Sequence, residues 1–362
     1  NKAPAVGRRS YAAAQVNRLT QGWSTISASA NSDIHRSLDA VRARSRKLAN
    51  DDEYVKKWLA MVTTNVVGPA GFRFQARVYD QPGKPDTLAN DAIERAWERF
   101  SRKGVCDVTG RQSLIGLQQL AIKAAARDGE FMFQIVRGKA AGNPFGIALQ
   151  MLDIDRLDTG YNQPATQGAN AIRMGVEVNA YGRPVAYWLK GSHPGEAYQI
   201  NLGYQENARQ RIPAEDIIHE FIADRPEQVR GMPWAHAAML RLNNLGGYEE
   251  AAVIAARVGA SKMGFFTTPD GQSHPIGTGT EDGTAEAALT MDADPGVFQS
   301  LPEGVNFQPF NPDYPTAMYA DFVKANLRGV ASGLGVAYHA LANDLEGVSF
   351  SSIRSGTLEE RD

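Results

Sequence analysis

The chain has 362 residues, 43% hydrophobic and 22% charged, a globular balance that excludes a wholly disordered or fibrous protein and, at the usual ~100–200 residues per domain, predicts two or three packed units. Its single cysteine, Cys106, excludes a disulfide framework and a thiolate metal site, and no run approaches the ~18 apolar residues of a membrane span. The net charge of −2 hides an asymmetry: the first 50 residues hold nine Lys or Arg against Asp33 and Asp39, which makes them +7 and leaves −9 on the body. Together with the absence of an apolar signal core at the start, these features predict a soluble, non-secreted chain in a reducing compartment. The basic front suits nucleic acid, an acidic neighbour or water alone.

Residues 1–32, rich in Ala, Ser, Asn and Arg, read as an extended arm. A basic stretch from His35 to Lys47 runs into Asn50-Asp51-Asp52-Glu53, a cap from which a helix should start, with Tyr54, Trp58, Met61 and Val62 at helical spacing and Gly68-Pro69 as its exit. Two further helices are expected at about Thr87–Arg102, with Ile93, Trp97 and Phe100 on one stripe, and at about Ser113–Asp128 before Gly129. The period then changes to two. Glu130–Val136, Ile147–Ile154, Ile172–Val178 and Val185–Leu189 read as strands, the last two joined as a hairpin, and Ile217–Phe221 as a short buried strand after Pro213. Pro233 opens a helix from Trp234 to about Val258, where Gly246-Gly247 predicts a kink. Pro269–Pro295 reads as a surface loop, Leu301–Phe310 as extended, and Met318–Val330 as a helix stopped by Gly333 and Gly335. A loop over Tyr338–Phe350 precedes a last helical stretch, Ser351–Arg361, which lacks a C-terminal cap and is expected to continue.

No constellation of acid, base and nucleophile stands out. The phosphate-cradling Gly-x-x-x-x-Gly-Lys-Ser/Thr is missing, His219-Glu220 lacks the second His of a zincin helix, and Gly277-x-Gly279 meets Asp282 where a dinucleotide site needs Gly. His219, in an apolar strand, reads as a hydrogen-bonded structural histidine. Asp153 and Asp155 could hold a divalent metal, yet beside Arg156 they read first as surface ion pairs. Trp58, Trp97, Trp188 and Trp234, among apolar neighbours, read as core. The chain is therefore expected to have no catalytic residues, metal or cofactor. Two classes stay open on these residues: a metal-dependent hydrolase using Asp153, Asp155, Asp216 or His219, and a monomeric nucleic-acid-binding module using residues 36–47.

The last sixty residues carry a resemblance. Leu301-Pro302-Glu303-Gly304, the run from Phe322-Val323-Lys324-Ala325-Asn326-Leu327-Arg328 to Gly333-Leu334-Gly335-Val336, and Gly347-Val348-Ser349-Phe350-Ser351-Ser352-Ile353-Arg354 resemble the signature of the lambda-type bacteriophage portal proteins. Phe350 stands where that family commonly has Tyr. Arg44–Tyr54 with Asn65-Val66-Val67-Gly68, Asp128-Gly129-Glu130, Ile218-His219-Glu220-Phe221 and Arg230-Gly231-Met232-Pro233 fit the family in order, so the resemblance covers most of the chain.

The resemblance implies an α+β, multidomain portal fold of wing, stem, clip and the start of a crown, forming a ring of usually twelve subunits with a central channel. It implies a conduit at one capsid vertex for packaging and ejecting double-stranded DNA. The implied partners are the terminase large subunit, the major capsid protein and a head-completion connector, with the host cytoplasm as the place of assembly and no membrane. Placed on the sequence, it gives a flexible basic arm (1–32), a wing from 33–112 and 261–337, stem helices at 113–129 and 223–260, a β-rich clip region (130–222), a candidate tunnel loop (338–350) and the start of a helix leading to the crown (351–362). His339, Asn343, Asp344, Ser349, Ser351, Ser352 and Arg354 are then candidates for facing DNA. Arg36, Arg42, Arg44, Arg46 and Lys47 are candidates for binding the capsid or a neighbouring subunit.

Overall fold

The computed structural model describes residues 24–196, 208–260, 264–267, 306–309 and 318–346, with residues 18, 22, 349 and 354. It is α+β and falls into two units, residues 1–49 with 59–234 and residues 50–58 with 235–362.

The first helix, α1 (Ala30–Asp51), lies where the sequence reading placed an arm and a basic stretch. Ile34 and Leu38, four residues apart, are buried together with Arg42 and Ser45 on the same face, so the stripe continues the helical period but changes from apolar to polar after one turn. That change hid it. Helix α2 (Glu53–Val66) starts as expected, with the Asp52 carboxylate accepting from Val55 N–H at 2.8 Å. A small hairpin, β1 (Tyr79–Gln81) with β2 (Lys84–Pro85), leads into α3 (Thr87–Phe100), which is capped by Asp86 and turns no residue fully inward. Helix α4 (Leu114–Asp128) has Ser113 as its N-cap and ends at Gly129 in the left-handed region at φ +93°.

Strand β3 (Glu130–Arg137) lies between β4 (Ile147–Leu152) and β9 (Ile217–Phe221), antiparallel to both. Its alternation feeds two clusters: Met132 packs with Ile34, Leu38, Leu152 and Ile217, whereas Phe131 and Phe133 pack with Cys106, Leu114 and Leu117. A four-stranded antiparallel sheet follows in the order β5 (Ala171–Arg173), β6 (Val176–Val178), β7 (Pro184–Lys190), β8 (Arg209–Pro213). The expected single strand over Ile172–Val178 is thus a hairpin, because Met174 and Gly175 both take positive φ (50° and 83°) and reverse the chain. The expected hairpin between β6 and β7 is present.

In the second unit the expected helix after Pro233 is broken at Ala238: Trp234–Ala237 is a 3₁₀ turn and α5 (Met239–Ala260) follows. The helix runs through Gly246-Gly247 without ending, and both glycines face open space. Strands β10 (Gly264–Thr267) and β11 (Asn306–Pro309) pair antiparallel. Helix α6 (Tyr319–Leu334) includes Gly333 and is stopped by Gly335 at φ +69°. A short helix, α7 (Tyr338–Ala342), occupies the start of what reads from sequence as a loop. The predicted loop at Pro269–Pro295 and the fingerprint-like Gly277 to Asp282 lie outside the described residues, as does the helical stretch 351–361 except Arg354.

Candidate functional site

The most unusual arrangement in the first unit is a buried set of charges around Glu130. Glycine 129 ends α4, and the next residue opens β3 with its carboxylate fully buried. Arg42 of α1 donates through Nη2 to Glu130 Oε1 at 2.6 Å, and Arg230 donates through Nε to Oε1 and Oε2 at 2.9 and 3.1 Å. His219 Nε2 of β9 lies 2.9 Å from Oε2, which also accepts from Gly231 N–H at 3.0 Å. Arg230 holds the second sheet as well, donating to the carbonyl of Met174 at 2.9 Å. Burial alone would push the Glu130 carboxyl up, but the charges of Arg230, His219 and Arg42 and the His219 hydrogen bond outweigh it and hold the carboxyl well below the ordinary range.

The set extends outward along α1. Arg42 also donates to Asp155 Oδ1 at 2.8 Å, and Arg46, one turn on, donates to Asp128 at 2.8 Å, to Asp153 at 3.1 Å and to the other oxygen of Asp155. Burial works against ionised Asp155, but Arg42 and Arg46 keep its carboxyl below the ordinary range. Ser45 caps the carbonyl of Arg127 at 2.5 Å. Backbone geometry closes the cluster: a Cβ on Gly129 would lie 2.3 Å from the carbonyl carbon of Met232, and one on Gly231 would lie 2.1 Å from the Gly129 oxygen. Only glycine at both positions lets these segments cross.

Sequence-predicted residues divide here. Arg42 and Arg46 are turned inward onto carboxylates, so neither is an open surface cation; Arg36, Arg44 and Lys47 are exposed, with Arg36 3.9 Å from Asp33. His219 is a buried, hydrogen-bonded histidine, as expected. The partners of Asp153 and Asp155 are Arg42 and Arg46 of α1 and His193, whose Nε2 lies 3.2 Å from Asp155, and not Arg156, which donates to the Lys190 carbonyl at 3.0 Å. Asp153, Asp155 and His193 do bring ligand atoms within 4.8 Å of one another, but a cation there would compete with two guanidinium groups already seated on the carboxylates. Asp216 pairs elsewhere, with Arg137 at 3.0 Å. The four residues of the hydrolase alternative therefore do not converge on an open site. Trp58 is buried, while Trp97, Trp188 and Trp234 are half-buried.

Glu130, Arg230, Gly231 and Asp128 received no role from sequence, although each lies in a segment that carries the family resemblance. The available signal was the spacing of Arg42 and Arg46 on the face of Ile34 and Leu38, and glycines adjoining both Glu130 and Arg230. These scattered motifs meet at one point, where they tie α1, β3, β9 and the second sheet together. The arrangement fixes geometry: Glu130 is fully buried and both its oxygens already accept from Arg42, Arg230, His219 or Gly231, so neither is open to a substrate.

In the second unit, the candidate DNA-facing residues lie around α7. Trp58 donates through Nε1 to the Leu334 carbonyl at 3.2 Å at the end of α6. His339 lies within α7, and Asn343 follows it in the left-handed region at φ 54° and accepts from Lys57. Asp344 accepts from the Tyr338 hydroxyl at 2.8 Å and pairs with Lys324 at 3.1 Å. Those hydrogen bonds and the Lys324 charge hold the Asp344 carboxyl below its usual value, and burial with the Asp344 bond pushes the Tyr338 phenol up to about 12. Arg328 lies 5.6 Å over the Tyr338 ring. The segment is thus pinned at Tyr338 and Asp344. Ser349 and Arg354 are exposed; Ser351 and Ser352 lie outside the described residues.

A second feature of this unit is acidic. Burial and the charges of Glu53 and Asp52 push the Glu249 carboxyl of α5 up, and burial with the Glu53 charge does the same to Asp52 against the pull of the Val55 N–H. Tyr54, beside them, is pushed up to about 12 by burial and the same carboxylates.

The chain is 36% identical over 356 residues to the probable portal protein of Halomonas phage phiHAP-1, a match covering 98% of this chain and 68% of that protein. It is 20% identical over 368 residues to portal protein B of Escherichia phage lambda, covering 94% and 67%. Among solved structures it is similar to a chain in the virion of a native gene transfer agent particle, with a TM-score of 0.48, 13% identity and coverage of 85% and 71%. A chain in the neck of the empty particle gives a TM-score of 0.48 and 14% identity, covering 87% and 74%. Residues 16–362 match the family described as phage portal protein, lambda family, and with a relative above 30% identity over nearly the whole chain, the chain belongs to that family, whose members are structural proteins and not enzymes.

Proposed function

We propose that this chain closes into a ring of about twelve subunits at one capsid vertex, assembled in the host cytoplasm. Double-stranded DNA passes through the ring during packaging and ejection, and the ring is the platform on which the terminase large subunit, the major capsid protein and a connector dock. The family match over residues 16–362 carries this reading. Two further features support it. The body after residue 50 is −9, which favours sliding, since each phosphate neutralised by Lys or Arg adds salt-sensitive affinity that would hold DNA in place. And Glu130, whose oxygens are both engaged within the fold, suits a rigid conduit.

Within this reading, α4 and α5 are stem helices on either side in sequence of a clip at 130–222, the wing comes from 33–112 and 261–337, and the arm at 1–32 reaches the shell or a neighbouring subunit together with Arg36, Arg44 and Lys47. The segment 338–350 is the tunnel loop, with Asn343, Asp344, Ser349 and Arg354 nearest to DNA. Negative-stain electron microscopy with light scattering of the purified chain should show closed rings with a channel wide enough for duplex DNA; a uniform monomer would overturn the ring. DNA cross-linking should label residues 343–354, and adducts at other channel residues with none here would overturn the loop assignment. Deleting residues 1–32 with unchanged ring assembly and procapsid incorporation would overturn the arm's role.

A further inference from the structure

Residues 71–78, between α2 and the β1–β2 hairpin, run along the first unit with one side of their backbone held and the other free. Phe72 N–H donates to Gln118 Oε1 of α4 at 3.1 Å, Ala76 N–H to Glu94 Oε1 of α3 at 3.0 Å and Val78 N–H to Asn90 Oδ1 of α3 at 2.7 Å, and the Val78 carbonyl accepts in return from Asn90 at 3.1 Å. An extended chain presents successive residues to opposite sides, so the N–H and C=O groups of Arg73, Gln75 and Arg77 face away from these helices. Arg77 Nη2 reaches Gln75 Oε1 at 3.5 Å, which puts the two side chains on one face, as that alternation requires. Among the described residues, nothing bonds to the backbone of Arg73, Gln75 or Arg77, and all three are exposed. The segment is an unpaired strand edge, the kind of surface to which another extended segment adds.

The two faces of that edge decide what fits beside it. Phe72, Phe74 and Val78 share one face and are 59%, 43% and 38% exposed, with Phe74 fixed by stacking on Trp97 at 4.8 Å between ring centroids. Arg73, Gln75 and Arg77 share the other. Residues opposite each other in paired strands meet on the same face, so the matching segment alternates apolar with acidic residues. The chain holds such a run. From Met263 to Val323 it has nine Asp or Glu and no Lys or Arg, and within that stretch Leu289, Met291 and Ala293 alternate with Thr290, Asp292 and Asp294, up to Pro295, which has no N–H to give. Both this run and a second alternating one, Tyr198–Gln205, which carries no acid, lie outside the described residues. The arginines of the edge favour the first.

We propose that the open edge at residues 73–77 receives residues 289–294 of an adjacent copy of this chain as an added strand, with their apolar side chains against Phe72, Phe74 and Val78 and their carboxylates against Arg73 and Arg77. The inference rests on the ring reading above and supplies one of its contacts: the edge of one copy and the acidic run of the next are different patches, which is the heterologous pairing from which a closed ring is built. Main-chain hydrogen bonds give such a contact its affinity and the alternating faces give it specificity. A slip by one residue would set aspartates against phenylalanines, so the register is fixed. The contrary role for charges on a free edge is to keep other strands away, and it predicts no contact at all.

The test mixes full-length Q75C and T290C chains, lets them assemble and treats them with a short bis-maleimide; the native Cys106 is buried. Linked residues are identified by mass spectrometry, with circular dichroism to confirm that each form is folded. Dimers linked 75 to 290 should exceed at least tenfold the 75-to-201 dimers from a mixture of Q75C with N201C, which probes the uncharged run. Adding R73E/R77E to the Q75C chain should lower the 75-to-290 yield at least tenfold, and adding D292K/D294K to the T290C chain as well should restore it, because the contact again joins opposite charges. A 75-to-290 yield no higher than the 75-to-201 yield, or one unmoved by folded R73E/R77E, would overturn the docking. Links formed only within single copies of a Q75C/T290C double variant would overturn the adjacent copy as the source of the strand. Light scattering and negative-stain microscopy of the same samples separate the two readings: rings without the link overturn this contact alone, whereas absence of rings from the unaltered chain overturns the ring reading itself.

Discussion

Replacing Glu130 by Gln removes one charge and almost no volume from the centre of the first unit. The single glutamine oxygen can still accept from Gly231 N–H and from His219, but its NH2 then takes the place of Oε1, so Arg42 and Arg230, both buried to within 2% of full burial, lose the charge and an acceptor together. Removing one member of a buried, hydrogen-bonded ion group costs ~3–5 kcal/mol, because the charges left behind have no solvent to turn to. For a unit of this size ~1 kcal/mol moves the melting temperature by ~2–4 °C, which places the expected drop for E130Q at ~6–20 °C. Scanning calorimetry and urea unfolding at pH 7 would measure it. The pH dependence supplies an independent check. The Glu130 carboxyl is held below its ordinary value in the fold, so its contribution is complete above the unfolded value of ~4.3 and declines as pH falls toward the folded one. The gap between parent and E130Q should therefore narrow from pH 5 to pH 3. A loss below ~1 kcal/mol for E130Q at pH 7, or a gap that widens in acid, would refute the reasoning.

Gly129→Ala places a methyl 2.3 Å from the Met232 carbonyl carbon at φ +93°; the backbone conformation alone costs ~1–3 kcal/mol, and the overlap adds to it, so the variant should be recovered mainly as insoluble protein, whereas Gly246→Ala, in open helix, should raise the melting temperature. Glu177 is held down to about 2 by the Arg211 hydrogen bond, with Asn170 and Trp188 adding to it against burial; E177Q should weaken the second sheet by ~1–3 kcal/mol at pH 7, and the difference from the parent, followed by urea unfolding, should shrink as pH falls from ~4.3 toward 2. Tyr338→Phe removes the hydroxyl that donates to Asp344, so the Asp344 carboxyl resonance, followed by NMR, should titrate at higher pH, nearer the ordinary ~3.9; an unchanged midpoint would show that the Glu346 N–H and Lys324 set it without the hydroxyl.

Much of the local structure was legible because its causes are local. Asp86 and Ser113 accept from the amide three residues on, Gly129 and Gly335 supply the left-handed caps, and the alternation of β3 appears as a period of two. The reading failed where two residues decide between a strand and a turn, as at Met174-Gly175, and at the start of α5, where a 3₁₀ turn at Trp234–Ala237 precedes the α-helix.

The family was legible from the sequence, because its motifs are short strings whose order survives without a fold. The junction around Glu130 was not. Arg42 and Arg46 look like any solvated basic stretch until Glu130, Asp128, Asp153 and Asp155, from 82 to 113 residues away along the chain, are brought onto them. A charge is placed in water or in the core by what surrounds it, since burying it is tolerable only with partners in place. Sequence by itself determined the helices and strands whose caps, turns and periods are local, and to which family the chain is related; only the tertiary structure, by assembling distant partners, decided that α1 is a helix with a charged inner face and which of the chain's charges are structural.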